Sequence, residues 1–228
     1  MKKILITIFI TVIPFANFAS AQWFGEVRGI VPFNSDGSYT WRNNGVIGGE
    51  TKTAEEDHFG IGLGYKFPNN FSISLNYEKN DTNRIINNQS DTDGNSYDHV
   101  TDDLEIKTYM LEVAYNHPVN DNFSVIGLVG IGESKHTVNE FLKFRLAGND
   151  EDRNSNNSRY GSETDTSKRI GLGGEYKIND QMFIVGMFTR TDYGESQSFL
   201  TNNNEKSWGQ KIEEDQFVIG LRYNFYIK

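Results

Sequence analysis

Four carboxylates and four cations are the residues of this chain best placed to do chemistry. They are Glu26, Glu78, Glu112 and Glu175, with Arg28, Lys66, Arg169 and Arg222. Paired carboxylates held in one site could act as general acid and base. Here, however, acids and bases are equal in number. Buried charges persist when they are paired and hydrogen-bonded, so this balance predicts a structural ion-pair network rather than a catalytic pair. The histidines (His58, His99, His117 and His136) form no Ser/His/Asp set by spacing, and no enzyme activity is expected. Residues 91–98 (DTDGNSYD) hint at a calcium loop, but Gly94 falls at the fourth position instead of the sixth and Asp102 stands where Glu is needed. No metal or other cofactor is expected. Trp41 and Trp208 stand alone in long polar connections and are candidate contacts for a partner.

The elements that must carry these charges are strands. Phe217, Ile219, Leu221, Tyr223 and Phe225 alternate with Gln216, Val218, Gly220, Arg222 and Asn224. Period 2 over nine or ten residues is the length of a tilted transmembrane strand. Similar alternation runs through 58–67, 71–78, 108–115 and 169–176. Strand one (about 23–33) sets Val27 and Val31 against Glu26 and Arg28. Strand five (123–132) is apolar on both faces, which permits Val125, Val129 and Ile131 outward. Strand seven (182–190) fits either phase, and Ile184, Gly186 and Phe188 outward is the preferred one.

Short connections alternate with long ones. Pro68-Asn69-Asn70, residues 117–122 and Asn179-Asp180-Gln181 are turns, through the fixed φ of Pro and the side-chain capping of Asn and Asp. The long connections are about 34–57, 80–103, 133–165 and 192–215. Similar hairpin bases recur around Tyr65-Lys66, Tyr115-Asn116 and Tyr176-Lys177. Both chain ends fall on the short-turn side, which is the layout of a transmembrane barrel.

Lys2 and Lys3, an apolar run over 4–18 and Ala19-Ser20-Ala21 form a signal-peptide pattern. Cleavage is expected between Ala21 and Gln22, leaving one barrel domain over 22–228. The apolar run is short for a membrane-spanning helix. With no Cys among the 228 residues, neither a lipoprotein anchor nor a disulfide is possible. The formal charge of -9 argues against nucleic acid as a partner. The four long connections hold 24 of the 31 acidic residues and only 10 basic ones, so the negative excess lies there. Their stretches rich in Asn, Ser, Thr and Gly (87–98, 148–158 and 201–204) should be mobile.

The glycines decide which face meets lipid. Gly60, Gly62, Gly64, Gly171, Gly173 and Gly220 share a face with the charges. An eight-stranded interior is only wide enough for its own side chains, and glycines would weaken a solvent-facing strand for no packing gain. That face is therefore the lumen. The apolar face ends in aromatics at both levels, as interfacial girdles do.

With Ile61-Gly62-Leu63-Gly64-Tyr65, Ile170-Gly171-Leu172-Gly173, Thr191-Asp192-Tyr193-Gly194 and the ending Val218 to Phe225 in hand, the chain resembles the eight-stranded outer-membrane barrel family. That family includes the OmpA transmembrane domain, OmpX, Ail and the opacity proteins. The fold it implies is an all-β, eight-stranded antiparallel up-and-down barrel in the Gram-negative outer membrane. The resemblance implies contact with outer-membrane lipid and lipopolysaccharide, passage through periplasmic chaperones and the barrel-assembly machinery, and a monomeric state. It also implies a surface role such as adhesion or host contact, or else a membrane-stabilising or minor pore role. One departure is that Tyr226, Ile227 and Lys228 follow the aromatic Phe225, where the family usually ends. The lipid A deacylase barrels would show a Ser two residues after a His, and none of the four histidines has one.

Overall fold

Strands whose two faces differ in polarity must close on themselves if both edges are to be satisfied inside a membrane, where unpaired N–H and C=O groups are costly. The computed structural model describes residues 22–41, 52–54, 58–86, 89–90, 96–145, 153–199 and 206–225. Residues 1–21, on which the expected signal segment and its cleavage point fall, and the last three residues lie outside these. Eight strands form the wall: β1 (Gln22–Trp41), β2 (His58–Lys66), β3 (Phe71–Ile86), β4 (Ser96–Pro118), β5 (Phe123–Arg145), β6 (Arg153–Lys177), β7 (Met182–Phe199) and β8 (Lys206–Phe225). Each pairs antiparallel with its sequence neighbour, and β1 pairs with both β2 and β8, so the sheet is closed. Two short pieces, Lys52–Ala54 against β3 and Gln89–Ser90 against β4, extend the wall.

Stagger follows from the register. Partners traced around the wall from Gln22 lead through Lys66, Ser72, Ala114, Leu128, Gly171, Thr189 and Gln216 to Pro32. The circuit therefore climbs ten residues along β1, the shear of a closed barrel whose strands tilt by roughly 35–45°.

The turns are built by the residues that predicted them. Asn70 has a left-handed φ of 67° and its N–H donates to the Phe67 carbonyl at 3.2 Å. Asn120 Oδ1 accepts from the N–H groups of Asn122 and Phe123, each at 2.9 Å. Asn179 Oδ1 does the same for Gln181 and Met182 at 2.9 Å. The latter two hairpin bases thus share one device.

Apolar side chains face outward through the membrane band. Leu172 and Phe188 are more than three-fifths exposed, whereas Glu78 and Arg169 are nearly or wholly buried. Val27, Val31, Val125, Val129, Ile131, Ile184 and Phe188 all point outward, which fixes the phases of β1, β5 and β7. Aromatic contacts mark both ends of the band. Trp23 meets Tyr65 at 5.3 Å and Phe71 meets Tyr115 at 4.9 Å near the short turns. Tyr77 meets Tyr109 at 5.2 Å, and Phe188 meets Phe217 at 5.2 Å, at the far end.

The strands do not stop at that far girdle, and this corrects the expected loop boundaries. Much of the stretches 34–57, 80–103, 133–165 and 192–215 is strand. Sequence reading ends a strand where outward apolar residues cease. Above the girdle the outer face meets water, so the polarity inverts. Leu104, Ile106, Tyr193 and Ile212 cluster inside, while Glu105, Lys107 and Glu213 on the same strands are at least partly exposed. The expected tip mobility concerns residues largely outside those described.

Close backbone approach requires glycine at Gly132, as it does at Gly173. A Cβ at Gly132 of β5 would lie 2.0 Å from the Tyr109 carbonyl oxygen and 2.9 Å from the Met110 Cα. Gly132→Ala should lower the urea midpoint of unfolding by an amount equivalent to about 1–3 kcal/mol. An unchanged midpoint would mean that the β4–β5 spacing is looser than described.

Candidate functional site

Inward-facing positions from six strands bring all eight predicted charges into the lumen, where each has a partner. Arg28 of β1 donates to Glu26 at 2.6 Å and to Glu112 of β4 at 2.9 and 3.1 Å, and it lies 3.4 Å from Glu78 of β3. Arg169 of β6 reaches Glu78 at 2.5 and 2.6 Å and Glu112 at 2.9 Å. Arg222 of β8 bridges Glu26 at 2.7 Å and Glu175 of β6 at 2.5 Å. Lys66 of β2 ends the chain, 3.2 Å from Glu175. The network is continuous from Lys66 to Arg169 and, apart from Lys66, buried.

Two further layers went unseen in the sequence. Phe24 is fully enclosed, and its ring lies under the Arg222 guanidinium at 4.3 Å. That ring occupies the space above Gly64, where a Cβ would be 2.2 Å from it. The luminal glycine thus makes room for the aromatic that supports the cation. On the other side of the network, Arg169 Nε donates to Thr191 Oγ1 at 2.8 Å. Gln216 Oε1 accepts from Thr191 at 3.1 Å, and Gln216 Nε2 donates to the Tyr193 hydroxyl at 2.6 Å. Asn80 Nδ2 donates to the same hydroxyl, also at 2.6 Å. The sequence signal for this layer was the Thr191-Asp192-Tyr193-Gly194 motif. Its function as lumen filling was hidden because strand seven was expected to end at Arg190.

An apolar cluster completes the interior: Ile30, Ile126, Leu128, Val185, Met187 and Val218. Its residues include the inward members of β5, the strand that read as apolar on both faces. Toward the short turns the lumen opens into a polar vestibule of about 880 Å³, bordered by Gln22, Lys66, Asn70, Ser124, Glu175 and Gln181.

The remaining candidates are scattered. His58 Nε2 lies 3.3 Å from the Asp81 carbonyl, His136 Nε2 lies 2.8 Å from the Tyr193 carbonyl, and His117 is exposed near the short turns. The structure does not bring these histidines to a common site. The side chain of His99 and most of the calcium-like stretch 91–98 lie outside the described residues. Among the described residues, no group of His, Asp and Glu is arranged to hold a metal ion. Trp41 and Trp208 are not in loops but on β1 and β8, where they are direct register partners. The sequence could not show this, because 167 residues separate them and only closure of the barrel aligns them.

Comparisons with known proteins agree with this architecture. A family model described as "Outer membrane protein beta-barrel domain" matches residues 5–225. No curated protein sequence matches the chain. Among solved structures, a major outer membrane protein from Thermus thermophilus aligns with a TM-score of 0.57 at 11% identity, over 90% of this chain and 100% of that one. OprG from Pseudomonas aeruginosa aligns at 0.50 and 14% identity over 93% and 99%. The outer membrane protease OmpT from Escherichia coli aligns at 0.50 and 11% identity over 90% and 96%. At these identities the likeness is one of fold alone. The closed eight-stranded wall, its outward apolar band and the family match place this chain in the outer membrane protein β-barrel family, in the outer membrane of a Gram-negative cell.

Proposed function

We propose that the protein is a non-conducting, non-enzymatic surface barrel whose wall above the membrane and outer connections recognise partners outside the cell. The observation that carries this reading is the ion-pair network across the lumen, in which every acid meets a guanidinium or ammonium. Carboxylates committed to these cations have no free face to offer a substrate, and a lumen filled by interlocked side chains leaves no water path. Strand extensions with an apolar inner cluster give the outer wall rigidity, which suits a platform for contact.

Two measurements test the reading. In planar bilayers the protein should show no stable, large single-channel conductance, and such a conductance would overturn the closed lumen. Exchanging the four outer connections for short turns should abolish binding to cells or serum factors while leaving the membrane intact. Unchanged binding with new detergent sensitivity would instead make the protein a membrane-stabilising barrel.

A further inference from the structure

The vestibule at the short-turn end, about 880 Å³ in volume, opens to the periplasm, the side on which short turns lie in outer-membrane barrels. Its size falls in the range of small-molecule sites, about 300–1,000 Å³. Inward it is blind, because Phe24 and the ion-pair network fill the lumen behind it. The charges of its lining are spent on one another. Lys66 lies 3.2 Å from Glu175, and Lys177 lies 2.7 Å from Asp180. Both lysines are thus already held by carboxylates, so the vestibule is poorly suited to an anion. What it offers instead is amide groups, from Gln22, Asn70, Asn122 and Gln181, beside the rings of Phe123 and Phe183.

Two further amides stand at its inner end. Asn116 on β4 is on the inward phase, two residues before Pro118 of the lining, and its backbone N–H donates to the Asn70 carbonyl at 2.9 Å. Its register partner on β5, Ile126, is two residues from Ser124, which also borders the cavity. Asn116 is 1% exposed, yet neither its Nδ2 nor its Oδ1 has a hydrogen-bond partner among the described residues. Asn224 on β8 is 2% exposed and lies between two lining residues. Its Nδ2 donates to Gln22 at 3.2 Å and its backbone N–H to the Gln181 carbonyl at 2.7 Å, while its Oδ1 has no partner there. Buried amides left without bonds are costly and rare. These three atoms face the one large polar space within reach, so their partners come from it.

We infer that the vestibule binds a neutral saccharide, with two adjacent hydroxyls of one sugar ring on the Asn116 amide. One hydroxyl oxygen accepts from Nδ2 while its neighbour's O–H donates to Oδ1, and an amide is the side chain that offers both roles side by side. Asn224 Oδ1, on β8, accepts from a hydroxyl of the same or the next sugar unit. Phe123 and Phe183 supply apolar surface for the C–H faces of the ring. A free sugar and the end of a longer glycan present the same hydroxyls, and both can enter a space that is closed at its inner end. This site is at the opposite end of the barrel from the outer wall, so neither reading rests on the other.

The test uses the whole protein in micelles of a polyoxyethylene detergent, which carries no sugar, with the side-chain amide resonances of Asn116 and Asn224 followed by NMR. The probes are glucose, maltoheptaose, glucose 6-phosphate and tetrahydropyran-2-methanol, which has the ring but no adjacent hydroxyls. Glucose should shift the Asn116 resonances saturably and bind about tenfold more tightly than tetrahydropyran-2-methanol, the scale of two hydrogen bonds. Maltoheptaose binding as well as glucose would assign the end of a glycan, and weaker binding would assign a free sugar. Asn116→Leu removes an amide that bonds to nothing in the protein, so the barrel should fold, while glucose affinity read at Asn224 falls about tenfold. If that variant fails to fold, as judged by heat-modifiable gel mobility, Ser124→Phe should abolish binding by filling the cavity. The site would be overturned if glucose gave no saturable shift, which would leave water as the partner of Asn116. Equal binding of the two ring probes, or unchanged affinity in the folded variants, would overturn it as well. Tighter binding of glucose 6-phosphate than of glucose would overturn the neutral assignment.

Discussion

A barrel with Arg169 replaced by methionine should unfold at a markedly lower urea concentration than the wild type, at a cost of about 3–5 kcal/mol, the range for breaking one side of a buried ion pair. Arg169 is completely enclosed and holds both Glu78 and Glu112, with four of its contacts to carboxylates or Thr191 at 2.5–2.9 Å. Methionine fills much of the same volume, so the loss is electrostatic and not a cavity. Glu78 then keeps only the 3.4 Å contact to Arg28. A buried carboxylate with so little compensation takes up a proton or water, and either outcome loosens the layer of Thr191, Gln216 and Tyr193 that leans on Arg169. Adding Glu78→Leu to Arg169→Met should recover part of the loss, since replacing both partners with apolar groups removes the stranded charge. Should the single variant match the wild-type midpoint, the network would be decoration on a barrel held together by its wall alone.

The second large effect lies on the opposite face. Leu172 points into the centre of the apolar band, between the girdle at Tyr176 and the far end beyond Ile170. Leu172→Arg should cost about 2–4 kcal/mol in refolding equilibrium with lipid vesicles, the depth-dependent penalty for a cation at the bilayer midplane. Thr166→Arg, three outward positions higher on β6 and above the girdle, should cost about 0–1 kcal/mol. Equal penalties at the two positions would contradict the placement of the membrane boundary between them.

Sequence alone determined the membrane part of this protein, because there the two faces of each strand meet different media. Lipid outside and a crowded polar lumen inside impose period 2 on every strand, and the phases of β1 to β8 could be read from it, including Ile184 and Phe188 on the ambiguous β7. Equal numbers of acids and bases on the inward phase forecast pairing. Glycines beside them marked that face as the lumen, but not that Phe24 fills the space above Gly64. The Asn and Pro turns were legible because their effect is local.

Only the tertiary structure decided which acid meets which base, because the partners come from strands as distant in sequence as Glu26 and Arg222 and the choice depends on the ten-residue climb of the closed register. It also decided where the strands end. Above the girdle both media are reversed, water outside and an apolar cluster within, so the signal that marks a membrane strand disappears while its hydrogen-bonded ladder continues. The alignment of Trp41 with Trp208, and of Lys79, Lys107 and Lys135 along one rung, has the same origin. Spacing along a chain carries no record of neighbours across a sheet until closure and shear bring them level.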